Sequence, residues 1–95
     1  KTPHDITLTG VKLGRTRCEL LARHVAFNES LLYLHLQRKG IGNAEGIELA
    51  KMLITNTTLR KLELEGNNLG PESAYTFGRA LKVNKSLKFL DLESN

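Results

Sequence analysis

The chain has 95 residues, enough for at most one domain and for a core of marginal extent. Hydrophobic residues make up 40% and charged residues 25%, an ordinary soluble composition that excludes a disordered chain. Lys and Arg number 14 against 10 Asp and Glu, an excess of +4 that is too small to argue for nucleic acid by itself.

No apolar run approaches the ~20 residues of a membrane-spanning helix. No signal peptide is recognisable, and Cys18 is the one cysteine, which fits a reducing compartment and a cytoplasmic protein. The order of elements is set by an internal repeat. Leu31, Leu59 and Leu87 stand 28 residues apart, as do Leu34, Leu62 and Leu90, and Leu36, Leu64 and Leu92. Ile6 and Leu8 stand one period earlier, while Pro3 replaces the first leucine of that repeat. The single domain, 1–95, thus divides into repeats over about 3–30, 31–58 and 59–86 and a partial repeat over 87–95.

Each repeat opens with L-x-x-L-x-L, whose L-x-L part alternates as a half-buried strand does. An apolar residue and a glycine follow (Leu13-Gly14, Ile41-Gly42, Leu69-Gly70), and then a helix. The apolar stripe of the first helix is Cys18, Leu21, Ala22 and Val25; of the second, Gly46, Leu49, Ala50 and Leu53; of the third, Ala74, Phe77, Gly78 and Leu81. Small residues at 18, 46 and 74 and at 22, 50 and 78 mark close approach. Asn43 is placed to cap the second helix, and Pro71 sits where a first-turn proline is tolerated. The helices end at Asn28, Asn56 and Asn84, residues that tolerate the left-handed conformation. A strand and a helix cannot bury their apolar faces alone, so the copies stack. The expected fold is an α/β solenoid with parallel strands on the concave face and helices on the convex face.

The period, a full helix per repeat, and the run Leu59, Leu62, Leu64, Asn67, Leu69, Gly70 resemble the ribonuclease-inhibitor class of leucine-rich repeats. The resemblance implies a horseshoe fold and a non-catalytic protein-binding role. Residues 80–87 and 90–95 are also similar to repeats of tropomodulins and leiomodins, which cap or nucleate actin filaments, and to repeats of NOD-like receptors. The strict 28-residue spacing fits the receptor type slightly better. These likenesses imply actin and cytoskeletal regulation as one alternative. GTPase regulation is another, since a Ran GTPase-activating protein uses the same class. The motif asparagine stands at Asn67 and Asn95, but Val11 and Lys39 take its place in the first two repeats. In the class this asparagine bonds neighbouring loop backbones, so that ladder is not expected in the N-terminal half.

Asn28-Glu29-Ser30, Asn56-Thr57-Thr58 and Asn84-Lys85-Ser86 match the glycosylation triplet, yet the same residues recur simply because the repeat recurs. His4, His24 and His35 show no metal-ligand spacing, and no nucleophile motif or phosphate loop is present, so no metal, cofactor or catalytic residue is expected. The outward strand positions form three columns: Asp5, Tyr33, Lys61, Phe89; Thr7, His35, Glu63, Asp91; and Thr9, Gln37, Glu65, Glu93. Tyr33 and Phe89 are aromatics of the kind that anchor interfaces. Glu63, Glu65, Asp91 and Glu93 cluster on adjacent strands, which costs stability and suits a basic partner surface. The expected contact residues are therefore Tyr33, His35, Lys61, Glu63, Glu65, Phe89, Asp91 and Glu93. Arg23, Lys51 and Arg79 form a basic column read as a solvated convex face. The opposed acidic and basic sides argue against nucleic acid. The chain stops where a loop and helix should follow, so it reads as a piece of a longer array. Its C-terminal edge is expected to self-associate, against which a monomeric sedimentation profile at high concentration would count.

Overall fold

The computed structural model describes residues 12–95 and the backbone of residues 5–7. Its elements are β1 (Asp5–Thr7), α1 (Arg15–Ala26), β2 (Tyr33–His35), α2 (Asn43–Thr55), β3 (Lys61–Glu63), α3 (Pro71–Val83) and β4 (Phe89–Asp91). The four strands form one parallel sheet in sequence order. Ile6, Leu34, Leu62 and Leu90 stand in register across it, so the sequence period is also the strand register. Parallel strands sit ~4.8 Å apart and packed helices ~8–10 Å apart, so a stack of strand–helix units bends with its strands inside. The solenoid follows from that mismatch.

The leucine columns form the core. Leu31, Leu34, Leu36, Leu59, Leu62 and Leu64 are all at most 1% exposed. Burying one such side chain is worth about 1.5–3 kcal/mol. Leu87, Leu90 and Leu92 pack against this core but remain partly exposed.

Burial divides each helix stripe into a part facing the sheet and a part facing the next helix. Leu49 and Phe77 are buried as sheet-facing residues. Cys18, Ala22 and Val25 of α1, and Gly46, Ala50 and Leu53 of α2, are buried where the following helix lies on them. The third stripe departs from expectation: Ala74 and Gly78 are exposed and Leu81 is 41% exposed. No helix follows α3 among the described residues, and its other face is closed instead by Ser73 and Ala80. A recess of about 360 Å³ lies on the open side, lined by Leu69, Pro71, Ala74, Phe77 and Leu92 among others.

Cys18 is fully buried, and its thiol is pushed up to about 11, first by burial and then by the carboxylates of Glu45, Glu19 and Glu48. A thiol reacts as its thiolate. Native protein at pH 8 should therefore resist iodoacetamide, with alkylation appearing only on unfolding or as the pH nears 11. Mass spectrometry with and without denaturant checks this; modification of native protein at a free thiol's rate would contradict it.

Two expectations about asparagines change. Asn56 and Asn84 follow α2 and α3 in extended conformation (φ −68°, ψ 137° and φ −70°, ψ 128°), not the left-handed one. Their side chains explain the preference instead. Asn56 Nδ2 donates to Val25 O (2.8 Å) and Asn28 O (3.2 Å) of the preceding repeat, and Oδ1 accepts from Thr58 N (3.0 Å) and Leu59 N (2.7 Å). Asn84 repeats this one period on, donating to Leu53 O and Asn56 O. The glycosylation triplets thus have a structural origin, and the amide nitrogens of Asn56 and Asn84 are already engaged.

Asn43 does not cap its own helix. Gly42 precedes α2, and its N–H is met by Glu45 Oε1 at 3.0 Å. The Asn43 Oδ1 instead accepts from Gly70 N and Ser73 N, both at 3.0 Å, and so caps α3 in the next repeat.

At the other end of the strands, Asn67 Oδ1 accepts from Lys39 N and Ile41 N while its Nδ2 donates to Leu36 O and Leu64 O. Asn95 donates to Leu64 O and accepts from Leu69 N. The ladder therefore reaches back to the second repeat although Lys39 stands in the motif position there. Val11, like Pro3, His4, Leu8 and Thr9, lies outside the described residues, as do the side chains of Asp5, Ile6 and Thr7. The turn before the ladder asparagine needs positive φ: Arg38 (51°), Gly66 (76°) and Ser94 (58°) occupy the same place in successive repeats. Only the glycine adopts it without strain.

Candidate functional site

The strand register sets the side chains of the concave face in rows. Tyr33, Lys61 and Phe89 occupy one row and His35, Glu63 and Asp91 the next. Continued pairing beyond the strands (Arg38 N to Glu65 O, Gly66 N to Glu93 O) carries Gln37, Glu65 and Glu93 along as a third. Alternation along a three-residue strand turns the middle leucine inward and its neighbours outward, so these rows follow from the local pattern. The eight expected contact residues thus share one face.

Their surroundings differ. Tyr33 is 39% and Phe89 46% exposed, with Lys61 between them. The Lys61 Nζ lies 5.2 Å from the centre of the Phe89 ring, a cation–π contact worth about 0.5–1 kcal/mol at an exposed site. The Phe89 ring remains nearly half exposed beside this contact.

The acidic cluster is less uniform than its sequence suggests. Glu63 is held by the His35 ring through Nδ1, with both side chains mostly buried. Glu65 meets the Arg38 guanidinium at 3.5 Å. Asp91 Oδ1 accepts from Glu93 N (3.0 Å), closing the turn after β4. The cluster therefore supplies internal bonds as well as charge. Asp91 and Glu93 form no ion pair among the described residues, so the uncompensated negative charge lies at the C-terminal end of the rows. Arg38 was missed in the sequence because its partner is 27 positions away.

On the convex face Lys51 sits 3.9 Å from Glu48, and the Arg79 guanidinium lies 5.9 Å from the centre of the Tyr75 ring. The basic column is thus partly engaged by its own helices. Among the described residues no group of three or more His, Cys, Asp or Glu side chains is placed to hold a metal ion, and no helix is long and apolar enough to cross a membrane.

A family model described as leucine rich repeat matches residues 55–78. Comparison with curated proteins gives no match. Among solved structures, one of leiomodin-1 actin-binding site 2 superposes with a TM-score of 0.82 at 18% identity. The overlap covers 94% of this chain and 54% of that one, so this chain spans about half of that structure. At such identity the likeness speaks for the fold.

Proposed function

We propose that this chain, a leucine-rich repeat protein, is a non-catalytic module that binds another protein through its concave strand face. The observation that carries the reading is the Tyr33–Lys61–Phe89 row: two half-exposed aromatics held in register, with Asp91 in the next row and Glu93 in the one after it. A rigid strand face presents such side chains at little ordering cost, and aromatic anchors dominate interface energetics. The charge at the end of the rows favours a partner with a basic surface.

Actin is the partner to test first, because the structurally similar leiomodin-1 structure is named for an actin-binding site. Pelleting with actin filaments compares this chain with a Tyr33→Ala, Phe89→Ala, Asp91→Lys variant. Loss of two anchors should weaken binding at least about thirtyfold. Should neither protein pellet, the same pair is used to capture partners from eukaryotic lysate. Equal recovery from both would move the binding surface off the concave face.

A further inference from the structure

The charges of the C-terminal half are sorted onto different sides of the solenoid. Residues 54–61 and 79–90 contain Arg60, Lys61, Arg79, Lys82, Lys85 and Lys88 and no acid. The acids beyond residue 54, Glu63, Glu65, Glu72, Asp91 and Glu93, lie on the strand face, in the loops after the strands or at the start of α3. Four of the cations gather where helices hand over to strands. Lys88 N donates to Arg60 O at 2.8 Å, which sets these two residues side by side. Lys85 Nζ lies 3.4 Å from Lys82 O at the end of α3. All four are exposed, and none forms an ion pair among the described residues.

A recess of about 320 Å³ opens at the same edge, between the loops that follow α2 and α3. Ile54 and Val83 line it, 48% and 57% exposed, with Thr57 and Lys85 beside them. The negative end of the α3 dipole accounts for Lys82 and Lys85. It does not account for Arg60 and Lys88, nor for two exposed aliphatic side chains in a recess whose one charged lining residue is Lys85.

We propose that this edge is a second docking surface, for an acidic protein segment carrying an aliphatic anchor. The carboxylates of that segment meet Arg60, Lys82, Lys85 and Lys88, and the anchor enters the recess between Ile54 and Val83. The recess walls offer aliphatic groups and no ring face for a base to stack on, which disfavours nucleic acid. The apolar atoms line a hollow rather than a protrusion, which disfavours insertion into a bilayer. The recess shares no lining residue with the strand-face rows, although Arg60 and Lys88 immediately precede Lys61 and Phe89, and the proposal does not depend on the reading of that face.

The test is fluorescence anisotropy with a fluorescein-labelled peptide of alternating Glu-Leu pairs. The probes beside it are the same peptide with Gln for Glu, phosphatidylserine vesicles and a single-stranded oligonucleotide. The Glu peptide should bind, more weakly as salt is raised. Lys82→Glu, Lys85→Glu, Lys88→Glu together should weaken it at least about tenfold. Val83→Ser should weaken it too, and Tyr33→Ala should not. Amide shifts in the wild type should centre on Ile54, Thr57 and residues 83–86. An unchanged circular dichroism melt shows that the variants fold. The proposal is overturned if the Glu peptide does not bind, if the Gln peptide binds equally, if the triple variant keeps full affinity, or if only vesicles or the oligonucleotide bind.

Discussion

Replacing Asn56 by alanine is expected to cost about 3–5 kcal/mol. The side chain is 2% exposed and makes four hydrogen bonds, two to carbonyls of the preceding repeat and two from the N–H groups leading into β3. Alanine leaves those backbone groups without the partner the side chain gave them, and each buried group stranded in this way costs about 1–3 kcal/mol. A domain of this size has a net stability of about 5–15 kcal/mol, so the loss takes a large share of it. Urea unfolding followed by circular dichroism measures the change. Thr58→Val is the companion variant. It also abolishes the glycosylation triplet but removes only the Thr58 Oγ1 bond to Asn28 O at 3.1 Å and a longer one to Leu31 O, and should cost about 1 kcal/mol. Equal and small effects of the two variants would show that the asparagine does not join the repeats.

The second large effect is expected from Gly46→Val, at about 3 kcal/mol or more. A Cβ at Gly46 would lie 2.5 Å from Leu69 Cδ2, 2.5 Å from Ser73 Oγ and 3.1 Å from Ser73 Cβ. Ser73 has little room to yield, because its hydroxyl is tied to Asn43 O (2.7 Å) and to Asn43 Oδ1 (2.8 Å) in a fully buried position. Valine would push α3 away from α2 and strain the cap that Asn43 supplies. Helix propensity alone predicts the opposite sign, since leaving glycine gains up to ~1 kcal/mol in a helix interior. Gly78→Ala separates the two terms. Nothing lies within 4 Å of a Cβ there, so propensity acts alone and alanine should stabilise by about 0.5–1 kcal/mol. Thermal or urea midpoints moving in the same direction for both variants would show that helix contact is not what selects glycine at position 46.

These variants act at different places, and their readouts keep stability apart from binding. Asn56 and Gly46 are buried and join repeats to each other. Tyr33 and Phe89 reach solvent, and their loss should leave the unfolding transition nearly unchanged while removing partner contact. The pairing of Lys61 with Phe89 adds one internal contact, small beside an interface anchor.

Much of this architecture is legible in the sequence, because every repeat places the same residue type in the same environment. The spacing of Leu34, Leu62 and Leu90 is at once the period, the strand register and the core column. The rows of the concave face follow, since a strand alternates its side chains and the register repeats unchanged. The roles that depend on contacts between repeats are not legible in this way. Asn56 reads locally as a helix-ending residue and Asn43 as a cap for its own helix, yet their decisive partners lie about one repeat away. The acids of the strand face read as bare charge until His35 and Arg38 are set beside Glu63 and Glu65. Ala74, Gly78 and Leu81 carry the pattern of a buried stripe, but a stripe is buried only where another helix lies on it. The acid-free stretches that hold Arg60 and Lys88 can be read along the chain, but only the stacking of repeats sets them side by side at one edge with Ile54 and Val83. Local pattern therefore determined which elements form and which side of each faces the core. The stacking of one repeat on the next decided which polar groups are paired, which apolar faces stay open, and where charge of one sign accumulates.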